Sequence, residues 1–436
     1  MAAFDGFVDQ VFAPGSPGQV TYNLPAGSGR VKALLLFWTE QAAGGSSDTW
    51  RLSTGAATQR NGVVSQWCVT SSNVDAQAAT AGSIECATDA LGILLDQGST
   101  TRDGEVDLIS MGVDQFVLDW VNIPTTASTF ATVVAFCGVY ITDALAALHT
   151  AASGTGALDV TVASGFGQPD VVMTGFPGTC LAAATDAWVA SSVLIGHGFG
   201  AGIKDGNQYM SLISDDVGSA AMDIGTWGQD GRIAGWVDDA DPTVVNCHLT
   251  LAASSGWPAD GFEVTRSTTM QQSFGYLALK GSFNKALSEL ATNTTPGPPQ
   301  TSDFAVGFSN QKVAICFGGN HGLTADTAPR AADTDGYEWW IGACDHLGNQ
   351  GYVGASNEDS AIDSDTYSNA TTGRTLRMTN ADDGTTLTEA DGSFTGSNFR
   401  LTYQTINATA RGFGAVVFGW DVDPIMPLVN YAREFA

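Results

Sequence analysis

The sequence predicts an all-β protein: three tandem antiparallel β-sandwich domains, jelly-roll-like, with short helical linkers. Three observations carry this. Short runs of alternating apolar and polar residues recur between turns rich in Gly, Pro, Asn and Asp, the pattern of strands with one buried face. A set of landmarks returns in the same order at a spacing of roughly 140 residues, a domain length rather than a solenoid period. Composition agrees, since 436 residues with 52 Gly, 44% hydrophobic and 14% charged describe a turn-rich globular chain and not a disordered one.

The clearest landmark closes the second third of the chain. In residues 261–281, Phe262, Val264 and Arg266 alternate with Glu263 and Thr265, a polar connection follows, and an apolar run resumes at Tyr276. This reads as a hairpin. Comparable pairs run from Phe116 past Pro124 to Gly138, and from Phe399 to Gly419. Upstream of each stands a hydrophobic strand, at residues 32–38, 170–174 and 312–317. Gly165 with Phe166, and Gly307 with Phe308, stand shortly before the second and third of these. Next comes a Trp-bearing strand, marked by Trp50, Trp188 and the Trp339–Trp340 pair. A polar turn and an aromatic segment follow, ending at Trp67, Tyr209 and Tyr352.

Taken in order, residues 4–29 predict an opening hairpin, and the first sandwich covers 1–140. Residues 142–152 contain Leu145 and Leu148 among good helix formers, which predicts a short helix in a linker spanning 141–156. The second sandwich covers 157–282. A further helix-like stretch at 284–290 precedes the Pro- and Gly-rich residues 292–299, giving a second linker at 283–300. The third sandwich covers 301–420. Its polar segment 356–396 reads as long solvated turns between short strands, the place where loop-borne function is expected. Residues 421–436 read as a C-terminal tail. Three such units form either a rod or a compact triangle.

Charge excludes one class of partner. With 17 Lys+Arg against 45 Asp+Glu, the formal net charge is −28, which repels nucleic-acid phosphates. The N-terminal residues have no basic or apolar signal-peptide region, and no apolar run reaches the about 18–20 residues of a membrane span. The expectation is a chain made in the cytoplasm without membrane insertion. Seven cysteines without a CxxC pair read as free thiols, with Cys137 and Cys316 inside core strands.

Motifs for catalysis do not assemble. There is no phosphate-binding Gly-Lys-Ser/Thr loop, no HExxH and no Gly-x-Ser-x-Gly elbow. His149, His197, His248, His321 and His346 share no spacing. His197 between two glycines reads as a strand end at a tight turn. Glu338 beside Trp339 and Trp340 offers a carboxylate next to a sugar-stacking platform, but reads better as an acid flanking a core strand. Asp-rich turns at Asp238, Asp239 and Asp241, at Asp333 and Asp335, at Asp363 and Asp365, and at Asp382 and Asp383 are candidate calcium ligands by their hard oxygens. None completes a twelve-residue calcium loop. No catalytic, cofactor-binding or metal-ligating residue is therefore assigned.

The landmark strands carry a resemblance. The stretch 32–39, the Trp-bearing strand, and 116–120 closing into 135–138 resemble tandem-repeat structural proteins, tail-fibre-like or virion proteins, of tailed bacteriophages and prophages. Repeat two is similar at 166–170, 261–265 and 277–281, and repeat three departs most. The resemblance implies a non-enzymatic virion protein on the particle surface, as a receptor-binding appendage or a capsid decoration. It further implies other virion proteins as partners, homo-oligomers, and a host glycan or receptor for an adhesin. The alternative is a carbohydrate-binding or carbohydrate-active protein of three β-sandwich modules.

Overall fold

The structure is a computed structural model. It describes residues 4–420 except 43–45, 48, 75–81, 97–100, 126–128, 152–153, 179–187, 192–193, 217–223, 239–240, 269–271, 298, 320–336, 358–365 and 381–383. Nearly every element is a strand, and the one helical turn among the described residues is the 3-10 segment Ser254–Gly256.

Repeat one carries β1 (Asp5–Phe12), β2 (Gly18–Asn23), β3 (Val31–Ala42), β4 (Ser46–Ser47), β5 (Thr49–Arg60), β6 (Val63–Val74), β7 (Gly82–Ala87), β8 (Gly92–Leu95), β9 (Arg102–Met111), β10 (Gln115–Asn122) and β11 (Thr129–Cys137). Repeat two carries β12 (Ile141–Ala151), β13 (Gly156–Thr161), β14 (Val171–Phe176), β15 (Trp188–Ser191), β16 (Leu194–Ile203), β17 (Gln208–Asp216), β18 (Ile224–Asp230), β19 (Ala234–Asp238), β20 (Asp241–Leu251), β21 (Gly261–Arg266) and β22 (Gln272–Gly281). Repeat three carries β23 (Asn284–Ala291), β24 (Gln300–Ala305), β25 (Gln311–Gly319), β26 (Tyr337–Asp345), β27 (Gln350–Asn357), β28 (Thr366–Thr371), β29 (Leu376–Thr379), β30 (Thr386–Thr395), β31 (Asn398–Thr405) and β32 (Gly412–Gly419).

One topology is built three times. A large sheet β1-β11-β3-β5-β6-β7 faces a small sheet β2-β10-β9-β8. The same order returns as β12-β22-β14-β16-β17-β18 with β13-β21-β20-β19, and as β23-β32-β25-β26-β27-β28 with β24-β31-β30-β29. In each, the first strand lies beside the last and the second beside the penultimate, the jelly-roll manner of closing a sandwich, while the middle strands run as two meanders. Each sandwich has its own interior, around Trp38 and Trp120 in repeat one, Trp236 and Phe262 in repeat two, and Trp340 and Phe399 in repeat three.

The triple fold is written into three glycines. Gly55, Gly200 and Gly342 occupy one register position, opposite Leu36, Thr174 and Cys316. A Cβ at each would collide with a backbone carbonyl, that of Leu91, Ile233 or Thr375, where the chain arrives at the small sheet. Only glycine lets the two backbones approach this closely. A second glycine position recurs ahead of the third strand: Gly27, Gly165 and Gly307 have φ of 91°, 73° and 81°.

Several expectations are corrected. The closing hairpins are not hairpins: β21 pairs with β13 and β20, whereas β22 pairs with β12 and β14 in the other sheet. The segments 116–138 and 399–419 cross between sheets in the same way, and so does the opening pair, β1 going to β11 and β2 to β10. Alternation marks each strand, but the two strands of each opening and closing pair face one another across the core.

Both helical linkers are strands. Residues 142–152 lie largely within β12, paired along its length with β22, and residues 284–290 within β23, paired with β32. Alanine and leucine favour helix locally, yet Ala144 and Ala146 pack into the central core while Leu145 and Ala147 pack into the second sandwich. Burial on both faces overrides the propensity. The residues assigned to linkers 141–156 and 283–300 therefore open repeats two and three, and the Pro-rich 292–299 is a connection inside repeat three. The short strands expected within 356–396 are β28, β29 and β30, but the segment is less solvated than its composition suggests, with Ala370 and Leu376 fully buried. The tail, 421–436, lies outside the described residues.

The repeats form a closed triangle. The large sheets turn inward and share one hydrophobic core, which holds Leu35 and Phe37 from repeat one, Met173 and Phe199 from repeat two, and Ile315 and Phe317 from repeat three. Rings of the three interlock edge to face, Phe37 with Phe199 at 5.9 Å and Phe199 with Phe317 at 4.9 Å. The opening strand of each repeat packs on the large sheet of the one before: β12 on β3, β5 and β6, and β23 on β16 and β17. The last such contact closes the ring, for β1 packs on β25, β26 and β27.

Each seam also carries an ion pair. Arg60 Nε donates to both oxygens of Asp143 at 3.0 Å, Lys285 Nζ stands 3.0 Å from Asp170 Oδ1, and Lys312 Nζ stands 3.7 Å from Asp5 Oδ1. At the third seam the buried carboxylate of Asp345 also accepts the Val8 backbone N–H at 3.0 Å. Two short strands cross between repeats. β15 extends the first large sheet beside β7, and β4 extends the third beside β28. The corresponding connection of repeat three, 320–336, lies outside the described residues.

Candidate functional site

The residues singled out for chemistry are scattered, and most are sealed. His197 sits in the middle of β16, not at a turn. It is fully buried where three repeats meet. Its Nε2 lies 2.8 Å from Thr54 Oγ1 and its Nδ1 lies 3.1 Å from Ser71 Oγ, both from repeat one. Its ring meets that of Trp339 from repeat three edge to face at 5.1 Å. Burial pushes its pKa down to about 3, so the imidazole is neutral. It is a polar pin in an apolar axis.

Glu338 is buried as well. It accepts the Tyr352 hydroxyl at 3.0 Å and the Thr379 backbone N–H at 2.7 Å, tying β26 to its neighbour β27 and across to β29. Burial raises its pKa well above the usual carboxylate range, against the opposing pull of those bonds. Trp339 and Trp340 are fully buried, one in the central core and the other inside the third sandwich. No sugar can stack on either face.

The landmark tryptophans divide. Trp50 lies on β5 and the Trp339–Trp340 pair on the equivalent β26, but Trp188 lies on β15, which joins the sheet of another repeat. The other described histidines do not converge: His149 packs beside Phe274, His248 lies on β20, and His346 Nδ1 stands 3.6 Å from Asp5. His321 lies outside the described residues, as do the side chains of all the Asp-rich turns proposed for calcium. Among the described residues no group of three or more His, Cys, Asp or Glu side chains could hold a metal ion. Six described cysteines are free and buried.

Two acidic positions of repeat one are electrostatically loaded. Arg51 is almost fully buried against Glu40 at 3.0 Å and Asp103 at 2.9 Å. On the small sheet Asp107 faces Asp119 across the β9–β10 ladder. Its pKa is pushed up to about 7, first by burial and then by Glu105, Asp89 and Asp119.

A cavity of about 290 Å³ opens at the seam of repeats one and two. Arg30, Lys32, Arg60 and the Asn61–Gly62 turn form one wall, and Thr142 and Asp143 of β12 form the other. Asn61 and Gly62 have φ of 52° and 83°, the conformation that turns β5 tightly into β6. No local motif marks this groove, because Arg60 and the Thr142–Asp143 wall come from elsewhere in the chain than Arg30 and Lys32.

Comparison with protein-family models, with curated proteins and with solved structures finds no match.

Proposed function

We propose that this chain is a non-enzymatic structural protein of a bacteriophage particle, displayed on the particle surface as a capsid decoration. The observation that carries the reading is the closed ring: β1 packs against β25, β26 and β27, so one chain becomes a compact body with three near-equivalent faces. Such a body suits a three-fold position in a symmetric assembly, where it can make three similar contacts. A stalked fibre would need an elongated element, and the described chain is a triangle of sandwiches.

Two further features support it. The groups with chemical potential, His197, Glu338 and the described thiols, are sealed from solvent, where no substrate reaches them. A net charge of −28 keeps a surface-displayed protein from sticking to its neighbours. The carbohydrate-active alternative loses its strongest motif, since Trp339 and Trp340 are interior.

The test is particle fractionation. A tagged copy expressed during prophage induction in the strain that carries the gene should co-sediment with purified particles and label their heads in electron micrographs. Label on the tail tip would reassign the chain to host attachment. Recovery in the particle-free lysate alone would overturn the virion reading.

A further inference from the structure

The groove at the first seam differs from its counterparts. Lys32 and Lys312 share one register position with Asp170 at the entrance to the third strand of each repeat. Asp170 and Lys312 are consumed internally, by Lys285 and Asp5. Lys32 is not. Among the described residues neither Lys32 nor Arg30 has an ion-pair partner, and Arg30 is exposed. Arg60 is already held by Asp143 and by the Ser164 carbonyl at 3.2 Å. The groove therefore presents two uncommitted cations on a chain with 45 acidic residues against 17 basic.

Its rim is apolar. Val113 is paired with Arg30 in an isolated bridge and is 66% exposed. Val63 follows the Asn61–Gly62 turn and is 69% exposed, and Val139 follows Gly138, whose N–H donates to the Arg30 carbonyl. Three of the seven exposed large hydrophobic residues described in the chain thus flank one cationic groove. Exposed cations and single exposed valines are each ordinary on a solvated surface, but two uncommitted cations beside three exposed valines fit an interface.

We propose that this groove docks an acidic, partly apolar segment of a partner protein. Carboxylates of that segment pair with Arg30 and Lys32, and its aliphatic side chains cover Val63, Val113 and Val139. Charge complementarity selects the partner: on so acidic a chain, a groove of this kind draws the carboxylates of another protein and disfavours every other face.

The experiment titrates the full chain into a short fluorescein-labelled peptide of alternating acidic and aliphatic residues, read by anisotropy. Saturable binding is expected, weakening with added salt. The Arg30→Glu/Lys32→Glu chain should bind at least about tenfold more weakly, and Val113→Asp should weaken binding independently. Both sites are at the surface, so the thermal midpoint should hold. If the charge-reversed chain misfolds, Arg30→Gln/Lys32→Gln serves instead and should show the same direction. Absence of saturable binding, or equal binding by the variants, overturns the proposal. Competition by an oligonucleotide or inorganic phosphate as effective as the unlabelled peptide also overturns it, in favour of a general anion site.

Discussion

Trp67 of repeat one stands over Gly275 of repeat two, and its indole N–H donates to the carbonyl of Tyr276 at 2.8 Å. A Cβ at Gly275 would enter the indole ring. The same contact recurs at the next seam, where Tyr209 stands over Gly414. Register makes these equivalent: Trp67, Tyr209 and Gly351 lie opposite Ala56, Ala201 and Ala343. Gly275, Gly414 and Thr132 likewise lie opposite Gly175, Phe317 and Phe37. At the closing seam the roles reverse, because Gly351 is the hole and Thr132 the knob. Each seam thus has its own lock, which fixes the order of the repeats around the axis.

Gly275→Ala and Gly414→Ala should each destabilise the chain by about 1–3 kcal/mol through overpacking. Trp67→Ala should cost about 3–5 kcal/mol by opening a cavity. Equilibrium urea unfolding measures all three. A neutral Gly275→Ala would show that the indole does not sit on the glycine.

The fold class and the positions of most strands are legible in the sequence because alternation and turn residues are local. Pairing is not. Phe262 and Tyr276 look like two arms of one hairpin, yet they pack ring to ring across a sandwich at 5.4 Å. Leu145 and Leu148 look helical because propensity is local and the partner strand β22 is more than a hundred residues away. Tyr352 looks like the third member of the Trp67 and Tyr209 set, but it points into the third sandwich and its neighbour Gly351 holds the seam position. The groove cations Arg30 and Arg60 meet through the pairing of β3 with β5 inside one sheet, and Asp143 joins them from the next repeat, so no local motif announces them.

His197 gives a pH signature. Its pKa falls from 6.5 to about 3 on folding, so the unfolded chain binds a proton that the folded chain refuses. Stability contributed by the neutral ring is complete above about pH 6.5 and is lost as pH falls towards 3, by roughly 4 kcal/mol at most. His197→Gln should be less stable at pH 7, by about 1–2 kcal/mol for imperfect bonds to Thr54 and Ser71. The gap should narrow or reverse by pH 5. An unchanged gap across this range would contradict the buried neutral imidazole.

Asp107 has the opposite sign. Its folded pKa is raised from 3.8 to about 7, so its stabilising protonated form is fully present at pH values below about 4 and is lost as pH rises through 7. Asp107→Asn should therefore stabilise the chain at pH 8, by about 1–2 kcal/mol after discounting for solvent screening, and have little effect at pH 4. Thermal unfolding at the two pH values decides it.

The described thiols should be silent in the native state. Cys68, Cys86, Cys137, Cys247, Cys316 and Cys344 are free and buried, and burial pushes Cys86 and Cys344 up to about 12. A thiol reagent should find none of these six before unfolding and all six after unfolding without reductant. Rapid native labelling at Cys86 or Cys344 would mean the cores open far more readily than their packing implies.

Small-angle X-ray scattering of the monodisperse chain tests the closed ring most directly. A compact body of this length should have a radius of gyration of about 22 Å, with a pair-distance curve of a single maximum. Three sandwiches strung in a row would give about 30 Å or more and a long tail, which would contradict the packing of β1 on repeat three.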